Sequence, residues 1–278
     1  MHGNGSKTIP LNDKLPPYRY PINRSMINLS NGKLLATLSL QGVPFELAAP
    51  SALVASFNSV ANLFNTLAAD HGGRLGVWTH IVKEKDALQT DYAIGNAFAQ
   101  TFVDKYVSTF SGMDFFKTTY YLSFVYDYGL DMPKGEHTLQ QIIDVARAML
   151  NEFAPRLLQV TDKGECEHVA FLSSLLNATA QPTPLIDAKI TDVLCRSDLH
   201  FGYDMLEIRP ANVDYSRYAS FFELDGMPSV TRPGMWDFLL NEQAEFVLTQ
   251  SMLLMPLPRA LKLIDTQINL IASADNVA

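Results

Sequence analysis

A chain of 278 residues is long enough for one large domain or two small ones, each with a real core. Apolar residues make up 47% of it and charged residues 18%, a composition typical of folded globular proteins and not of disordered ones. The net charge of -8 argues against direct nucleic-acid binding, because phosphate contacts need clustered basic residues and the longest basic feature is Lys83-Glu84-Lys85.

Cysteine usage and hydropathy predict the compartment. Cys166 and Cys195 are too few for a disulfide framework, so a reducing cytoplasm is the simplest environment. The N-terminus is polar and has no apolar core of a secretory signal. No stretch reaches the roughly 18–20 continuous apolar residues of a membrane span. The sequence therefore predicts a soluble segment that is still able to dock on a membrane complex.

The first third of the chain predicts an arm, a hairpin and a helix. Residues 1–25 are rich in Pro, Asn, Lys and Arg, which is typical of an extended or irregular arm. Asn31-Gly32 between two alternating runs predicts a β-hairpin. Apolar residues then recur three and four apart over 51–70, which predicts an amphipathic helix ending at His71-Gly72-Gly73.

Strands and helices alternate through the middle of the chain. Residues 74–85, RLGVWTHIVKEK, predict a strand, and a helix follows it and stops near Gly112. The aromatic and β-branched stretch FFKTTYYLSFVYDYG predicts the next strand. Thr138 and Gln141 form a capping box, which predicts that a third helix begins there.

The pattern after Pro155 predicts two helices and then several strands. ECEHVAFLSSLLNAT is interpreted as a helix, and PTPLIDAKITDVL as a turn and a short helix. HFGYDMLEIRP, RYASFFELD and AEFVLTQSML predict strands, with a helix entered through Pro233 before the last of them. From Leu257 onward apolar residues again fall at helical spacing, without a stop signal before Ala278.

This order of elements predicts an α+β fold of mainly antiparallel sheets, covered by helices on one face. Two similar α/β halves, residues 26–135 and 136–278, are predicted to meet near residues 130–160.

Catalytic motifs are missing from the sequence. There is no phosphate loop of the form G-x-x-x-x-G-K-S/T, no G-x-S-x-G, no H-E-x-x-H and no C-x-x-C. Asp198, Asp204 and Glu207 are interpreted as solvated strand-end charges and not as a carboxylate pair for acid–base chemistry. We therefore predict no catalytic residue, no cofactor site and a binding or assembly role.

Three clusters allow a second interpretation. Cys166 and His168 point about 200° apart on a helix, so they cannot share a metal. Cys195 and His200 would complete a set of four ligands only if the fold brought all of them together, so no metal site is predicted. Trp78 and His80 form either a ligand wall or ordinary core packing, and packing is favoured. The tyrosines of the central strand are interpreted as sheet packing in preference to a base-stacking platform. They are Tyr120, Tyr121, Tyr126 and Tyr128.

Four phrases in order resemble the conjugative-transfer and type IV secretion ATPases of the CagE/TrbE/VirB type. They are NLSNGKLLATLSLQGVPFEL, LGVWTHIVKEK after the helix 51–70, YYLSFVY at 120–126 and QAEFVLTQSM at 243–252. The resemblance covers the chain from about Met26 to its end. It implies that residues 26–278 are an N-terminal docking domain and that a C-terminal ATPase domain, with its ATP and magnesium sites, lies beyond Ala278.

The resemblance also implies partners and a location. Family N-terminal domains place the ATPase on the cytoplasmic face of the inner membrane. There they contact small membrane subunits and the neighbouring ATPase subunits of an oligomer, for which a hexamer is one arrangement. In the arm, Tyr18, Tyr20 and Ile22 lie between prolines and are candidate docking residues. Two alternatives stay open: a stand-alone adaptor, and a complete small-molecule enzyme with a pocket near Trp78, His80 and residues 198–207.

Overall fold

Two antiparallel sheets and seven helices make up the described part of the chain. The computed structural model describes residues 17–42, 48–86, 95–110, 112–179, 183, 189–210, 216–224, 226, 230, 234–235 and 237–275. The helices are α1 (Pro50–His71), α2 (Ala97–Ser108), α3 (Met132–Met149), α4 (Glu167–Asn177), α5 (Ile190–Leu194), α6 (Asp237–Asn241) and α7 (Leu257–Asp275). A short 3₁₀ turn, Asn151–Phe153, follows α3. The predicted α+β class is confirmed.

The larger sheet has seven strands. They are β1 (Tyr18–Pro21), β2 (Ile27–Leu29), β3 (Lys33–Leu40), β4 (Leu75–Asp86), β5 (Phe115–Asp127), β6 (Arg156–Leu157) and β10 (Phe246–Leu253). Their order is β1-β2-β3-β5-β4-β10, and β6 pairs with the free part of β3. The smaller sheet has three strands, β7 (Ser197–Phe201), β8 (Leu206–Pro210) and β9 (Arg217–Ala219), in chain order.

The hairpin between β2 and β3 forms where the sequence predicts it. Gly32 has a φ of 73°, a left-handed conformation that glycine adopts without the steric cost of a Cβ. Residues 1–25 are predicted to form an extended or irregular arm, and in its described part β1 pairs with β2 from Tyr18 to Pro21. The arm is therefore extended over these residues, where it forms an edge strand of the larger sheet.

Helices pack on both faces of the larger sheet, whereas the order of elements in the sequence predicts helices on one face only. Alternate residues along a strand point to opposite faces, so β3 contributes Leu34, Ala36 and Leu38 to one core and Leu35 to the other. Helices α1 and α3 pack on the first face, and α4 and α5 cover part of the second. We call these the first core and the second core.

The N-cap of the third helix lies seven residues before the one that the capping box predicts. Asp131 is its N-cap and accepts a hydrogen bond from the Lys134 amide at 3.0 Å, and Pro133 occupies the first turn. The Thr138 hydroxyl instead donates to the Lys134 carbonyl at 2.9 Å, inside the helix. The predicted start at Thr138 is therefore wrong, because a stronger N-terminal signal lies upstream.

The second half of the chain joins the same sheet as the first. Strands β6 and β10 lie between residues 136 and 278, yet they pair with β3 and β4. The stretch HFGYDMLEIRP is not one strand but a hairpin, because the Gly202 amide bonds the Met205 carbonyl at 2.8 Å and turns the chain between β7 and β8.

The hairpin formed by β4 and β5 extends beyond the other strands. β10 pairs with β4 only as far as Lys83, and β3 pairs with β5 only from Tyr120 onward. Residues 84–86 and 115–117 therefore pair only with each other among the described strands. We call this two-stranded end the ribbon, and α2 lies in the connection at its tip.

Candidate functional site

The three predicted docking residues do not share one surface. Tyr18 packs against the second core, where burial raises its pKa to about 12. Ile22 packs against the first core. Tyr20 alone is open, with 47% of its surface exposed. Of the three residues, only Tyr20 has the exposure that a docking contact needs, and its docking role stays a prediction.

Trp78 and His80 stand side by side on the second face of the sheet. Their ring centroids are 6.4 Å apart, and the His80 ring also meets Phe171 edge-on at 5.4 Å. His80 Nδ1 lies 2.9 Å from the Thr249 hydroxyl, and burial lowers its pKa to about 4. His80 is thus a neutral packing residue with a satisfied ring nitrogen, and Trp78 is 43% exposed beside it.

A cavity of about 820 Å³ lies on the first face, between α1 and strands β3, β4 and β5. Its apolar lining includes Leu40, Val60, Leu63, Phe64, Ile81 and Leu122. None of its described lining residues is Asp, Glu, Lys or Arg, and burial raises the pKa of both Tyr120 and Tyr121 at its wall. Its size suits a small ligand. Of the residues around which the sequence predicts a pocket, His80 lies in the lining of this cavity, whereas Trp78 and residues 198–207 do not.

A buried chain of polar groups crosses the second core. The Thr37 hydroxyl lies 2.7 Å from the Ser123 hydroxyl and 2.8 Å from His168 Nε2. All three side chains are almost completely buried, and burial lowers the pKa of His168 to about 4. A hydroxyl beside a neutral histidine resembles a nucleophile–base pair. Without solvent access it has no substrate to attack, so it serves to hold α4 against the sheet.

The candidate metal and acid–base clusters do not assemble. Among the described residues no group of three or more His, Cys, Asp or Glu side chains converges on one point. Cys166 is buried at the start of α4, and the Cys195 thiol donates to the Ser197 carbonyl at 3.1 Å. Arg209 hydrogen-bonds Glu207 at 2.6 Å and holds the pKa of that carboxyl below its usual value, so Glu207 is a poor proton donor.

The tyrosines of β5 are divided between the two faces. Tyr126 belongs to the first core, whereas Tyr121 stacks on Phe171 in the second at 4.0 Å. Tyr128 lies beyond the strand, and its hydroxyl donates to the Asn28 side chain at 3.3 Å. A common base-stacking platform is therefore not formed, in agreement with the packing interpretation.

The basic residues around Glu84 are used within the fold. Lys83 is 6% exposed, and its ammonium donates to the Leu240 and Glu242 carbonyls at 2.6 and 2.5 Å. Lys85 forms an ion pair with Asp114 at 2.9 Å. Lys83 thus anchors the segment that leads into β10, and no local pattern in the sequence indicates this role.

Several apolar surfaces are open. Residues 50–69 of α1 carry no charged side chain, and Phe57 on its surface is 65% exposed. By length and composition, α1 is the one helix among the described residues that is able to cross a membrane, with 11% of its apolar window buried. Phe98 on α2 and Phe222 after β9 are 82% and 94% exposed. In the part of the chain that the structure describes, the open features are therefore exposed apolar side chains and an apolar cavity.

Comparison with known families fits this picture. Residues 25–131 match the model of the N-terminal domain of the type IV secretion system ATPase VirB4/TrbE, and residues 156–278 match that of the CagE, TrbE, VirB family, a component of the type IV transporter system. The chain belongs to the VirB4/TrbE family. The two matches lie on either side of α3, close to where the sequence predicts that two halves meet.

Curated members of the family are similar along most of the chain. The type IV secretion system protein VirB4 of Bartonella henselae is 26% identical over 261 residues, and that of Brucella suis is 21% identical over 265. PtlC of Bordetella pertussis is 21% identical over 262 residues. Each alignment covers 84% of this chain but only 31–32% of the relative, so the chain spans about a third of the length of these proteins.

Proposed function

We propose that this chain is the non-catalytic docking domain of a VirB4/TrbE-type ATPase and attaches the ATPase to the inner-membrane part of a type IV secretion machine. The family match carries the proposal, because one of the matching models describes the N-terminal domain of that ATPase. In the parent protein, ATP and magnesium bind in a C-terminal domain, and the machine moves DNA or protein across the membrane.

The placement of the polar side chains supports a role without catalysis. The hydroxyl–histidine chain of Thr37, Ser123 and His168 is closed to solvent, and the buried Lys83 is bonded to two backbone carbonyls. Large apolar side chains such as Phe57 and Phe222 are instead exposed. Exposed apolar patches often mark sites of protein–protein contact. The groups that are able to react are therefore buried, and the groups that are open to solvent are suited to contacts with other proteins.

Cell fractionation tests the docking role. The tagged chain is produced in bacteria that carry the other subunits of a type IV secretion machine, and in the same bacteria without its inner-membrane subunits. We expect the chain in the membrane fraction only when those subunits are present. A chain that stays in the soluble fraction of both strains contradicts the proposal, and one that enters the membrane in both shows binding to lipid.

Two single substitutions test the arm. Tyr20→Ala removes the exposed candidate, and Tyr203→Ala removes an exposed tyrosine from the smaller sheet as a control. We expect the first to lower the membrane-bound fraction and the second to leave it unchanged. Equal retention of both variants excludes Tyr20 as a docking residue.

Binding of an apolar small molecule is the second candidate, and the 820 Å³ cavity favours it. Titration with an uncharged apolar dye, followed by its fluorescence, tests this candidate. Calorimetry with MgATP tests a separate point of the docking proposal, which is that this chain has no nucleotide site. The docking proposal predicts no heat of binding for MgATP with this chain. A saturable signal from MgATP contradicts that prediction and points to a chain with a nucleotide site of its own.

A further inference from the structure

The two edges of the larger sheet differ in how they are protected. At one edge β1 has four residues, follows Pro17, ends at Pro21 and carries Arg19. Prolines, charges and short length are the features that keep an edge strand from pairing with another chain. At the other edge β10 has eight residues, FVLTQSML, with no proline and no charge. The β1 edge thus has features that prevent pairing with another strand, and the β10 edge has none of these features.

The backbone groups of β10 alternate between its neighbour β4 and the open side. The Leu254 amide bonds the Leu75 carbonyl at 3.0 Å, and Leu253 pairs with Gly76 in the same register. In an antiparallel ladder, alternate residues direct both backbone groups to the same neighbour. The even-numbered residues therefore bond β4, and the odd-numbered ones point away from it. The latter are Val247, Thr249, Ser251 and Leu253.

The open side is accessible to a partner. Val247 and Leu253 are 48% and 64% exposed, and the side chains between them, Thr249, Gln250 and Ser251, are also exposed. Among the described strands only β4 pairs with β10. An incoming strand therefore finds backbone donors and acceptors that no described strand uses.

The side chains of two β10 strands are complementary to each other when the strands run antiparallel. In an antiparallel pair centred on Gln250, Val247 of one copy faces Leu253 of the other, and Thr249 faces Ser251. Leu248 faces Met252 in the same register, and Gln250 faces Gln250. Apolar groups meet apolar groups and hydroxyls meet hydroxyls, which are the favourable cross-strand pairs. A second copy of this chain thus fits the edge.

The charge distribution favours the same occupant. Each chain carries a net charge of -8, so two copies repel each other over most of their surfaces. The absence of charge along β10 removes this repulsion where the two strands meet. The two-fold relation also pairs odd residues with odd ones, so that the outward backbone groups of both strands bond each other.

We propose that β10 pairs with β10 of a second copy, antiparallel and centred on Gln250, so that two seven-stranded sheets join into one continuous sheet. The proposal rests on the proposed function as a domain of a VirB4/TrbE-type ATPase, whose neighbouring subunits the family resemblance expects to contact one another, and it names the surface that they use. It is tested on self-association of the chain and not on membrane recovery, so failure here leaves the docking test unaffected.

A charge exchange at Gln250 tests the two-fold register. Gln250→Lys places two ammonium groups opposite each other, and Gln250→Glu places two carboxylates there. We expect each variant to weaken dimerisation about fivefold, as measured by analytical ultracentrifugation over a concentration series. An equimolar mixture of the two variants should recover the dimer, because lysine then faces glutamate. Recovery of the dimer in the mixture requires that the two residues at position 250 face each other. A loss of dimer caused by misfolding of the variants would not be reversed by mixing them.

Two further variants complete the experiment. Ser251→Pro removes an outward amide from each copy while leaving the bonds to β4, and we expect it to abolish the dimer. Phe102→Lys alters an exposed apolar residue of α2 and should leave the dimer unchanged. A monomeric unaltered chain overturns the proposal, as does a dimer that persists in Ser251→Pro or a mixture that fails to recover it.

Discussion

The larger and the smaller sheets bury their apolar side chains to very different degrees. In the larger sheet Leu34 and Phe124 are 0% exposed, because helices pack on both faces. In the smaller sheet Leu206 and Ile208 are buried, while Phe201 is 75% exposed. Since burial of apolar surface stabilises a fold, the larger sheet holds the chain together and the smaller one presents its apolar groups to solvent or to other molecules.

The strongest test of this difference is a cavity in the first core. Phe124→Ala removes a fully buried ring from β5, and we expect it to lower the free energy of unfolding by about 3–5 kcal/mol. Urea denaturation followed by circular dichroism measures the change. A loss below about 1 kcal/mol shows that the larger sheet is not the main source of stability.

The two buried histidines of the second core make stability depend on pH. The pKa of both His80 and His168 is lowered from 6.5 to about 4, so between these values the unfolded chain binds protons that the folded chain does not. The stability that depends on the neutral form of these two histidines is fully present well above pH 6.5, and it is lost as the pH falls through 6.5 toward 4. From pH 7 to pH 5 we expect a loss of about 2 kcal/mol for each histidine.

Urea denaturation at several pH values measures this loss. His168→Gln should remove its share of the pH dependence. Equal slopes for the unaltered chain and His168→Gln would mean that His168 does not stay neutral in the folded state.

The hydroxyl that links α4 to the sheet contributes a smaller amount. Thr37→Val keeps the shape of the side chain but leaves Ser123 and His168 without their shared partner. We expect a loss of about 1–2 kcal/mol, because an unpaired buried polar group retains its desolvation cost. Thermal unfolding measures it, with the exposed Thr109→Val as control. An unchanged midpoint would show that the chain of hydroxyls adds no stability.

The smallest effect is expected beside the smaller sheet. Phe222→Ser replaces a side chain that is 94% exposed, and the free energy of unfolding should change by less than about 0.5 kcal/mol. The same urea experiment compares it directly with Phe124→Ala. A large loss here, equal to that of Phe124→Ala, removes the distinction between the two sheets.

Elements with local signals were predictable from the sequence. The β2–β3 hairpin follows from Asn31-Gly32, and α1 differs from its predicted range by one residue at each end, because the spacing of its apolar residues and the two glycines after it are local features. The start of α3 was not, because the capping box at Thr138 is an equally local signal that lies seven residues beyond the N-cap, Asp131. Within the helix, a Cβ at Gly135 would overlap the Tyr128 side chain, so only glycine fits there.

The family was recognisable, but the contacts that define the candidate site were not. Its phrases are hydrophobic patterns along single strands, which a sequence displays directly. Thr37 and His168, by contrast, are 131 positions apart, and no periodicity connects them. The open edge of β10 also depends on its partner, since only the pairing with β4 shows which residues face outward.

The ribbon has a mechanical consequence. Two-stranded segments twist more freely than strands held on both sides, and α2 at the tip is tied back to β5 through the rings of Tyr106, Phe110 and Phe115. A load applied to α2 passes through two strands before it reaches the first and second cores. The ribbon is therefore expected to twist more readily than the rest of the larger sheet, so that a displacement of α2 deforms the ribbon before it disturbs the packing of the two cores.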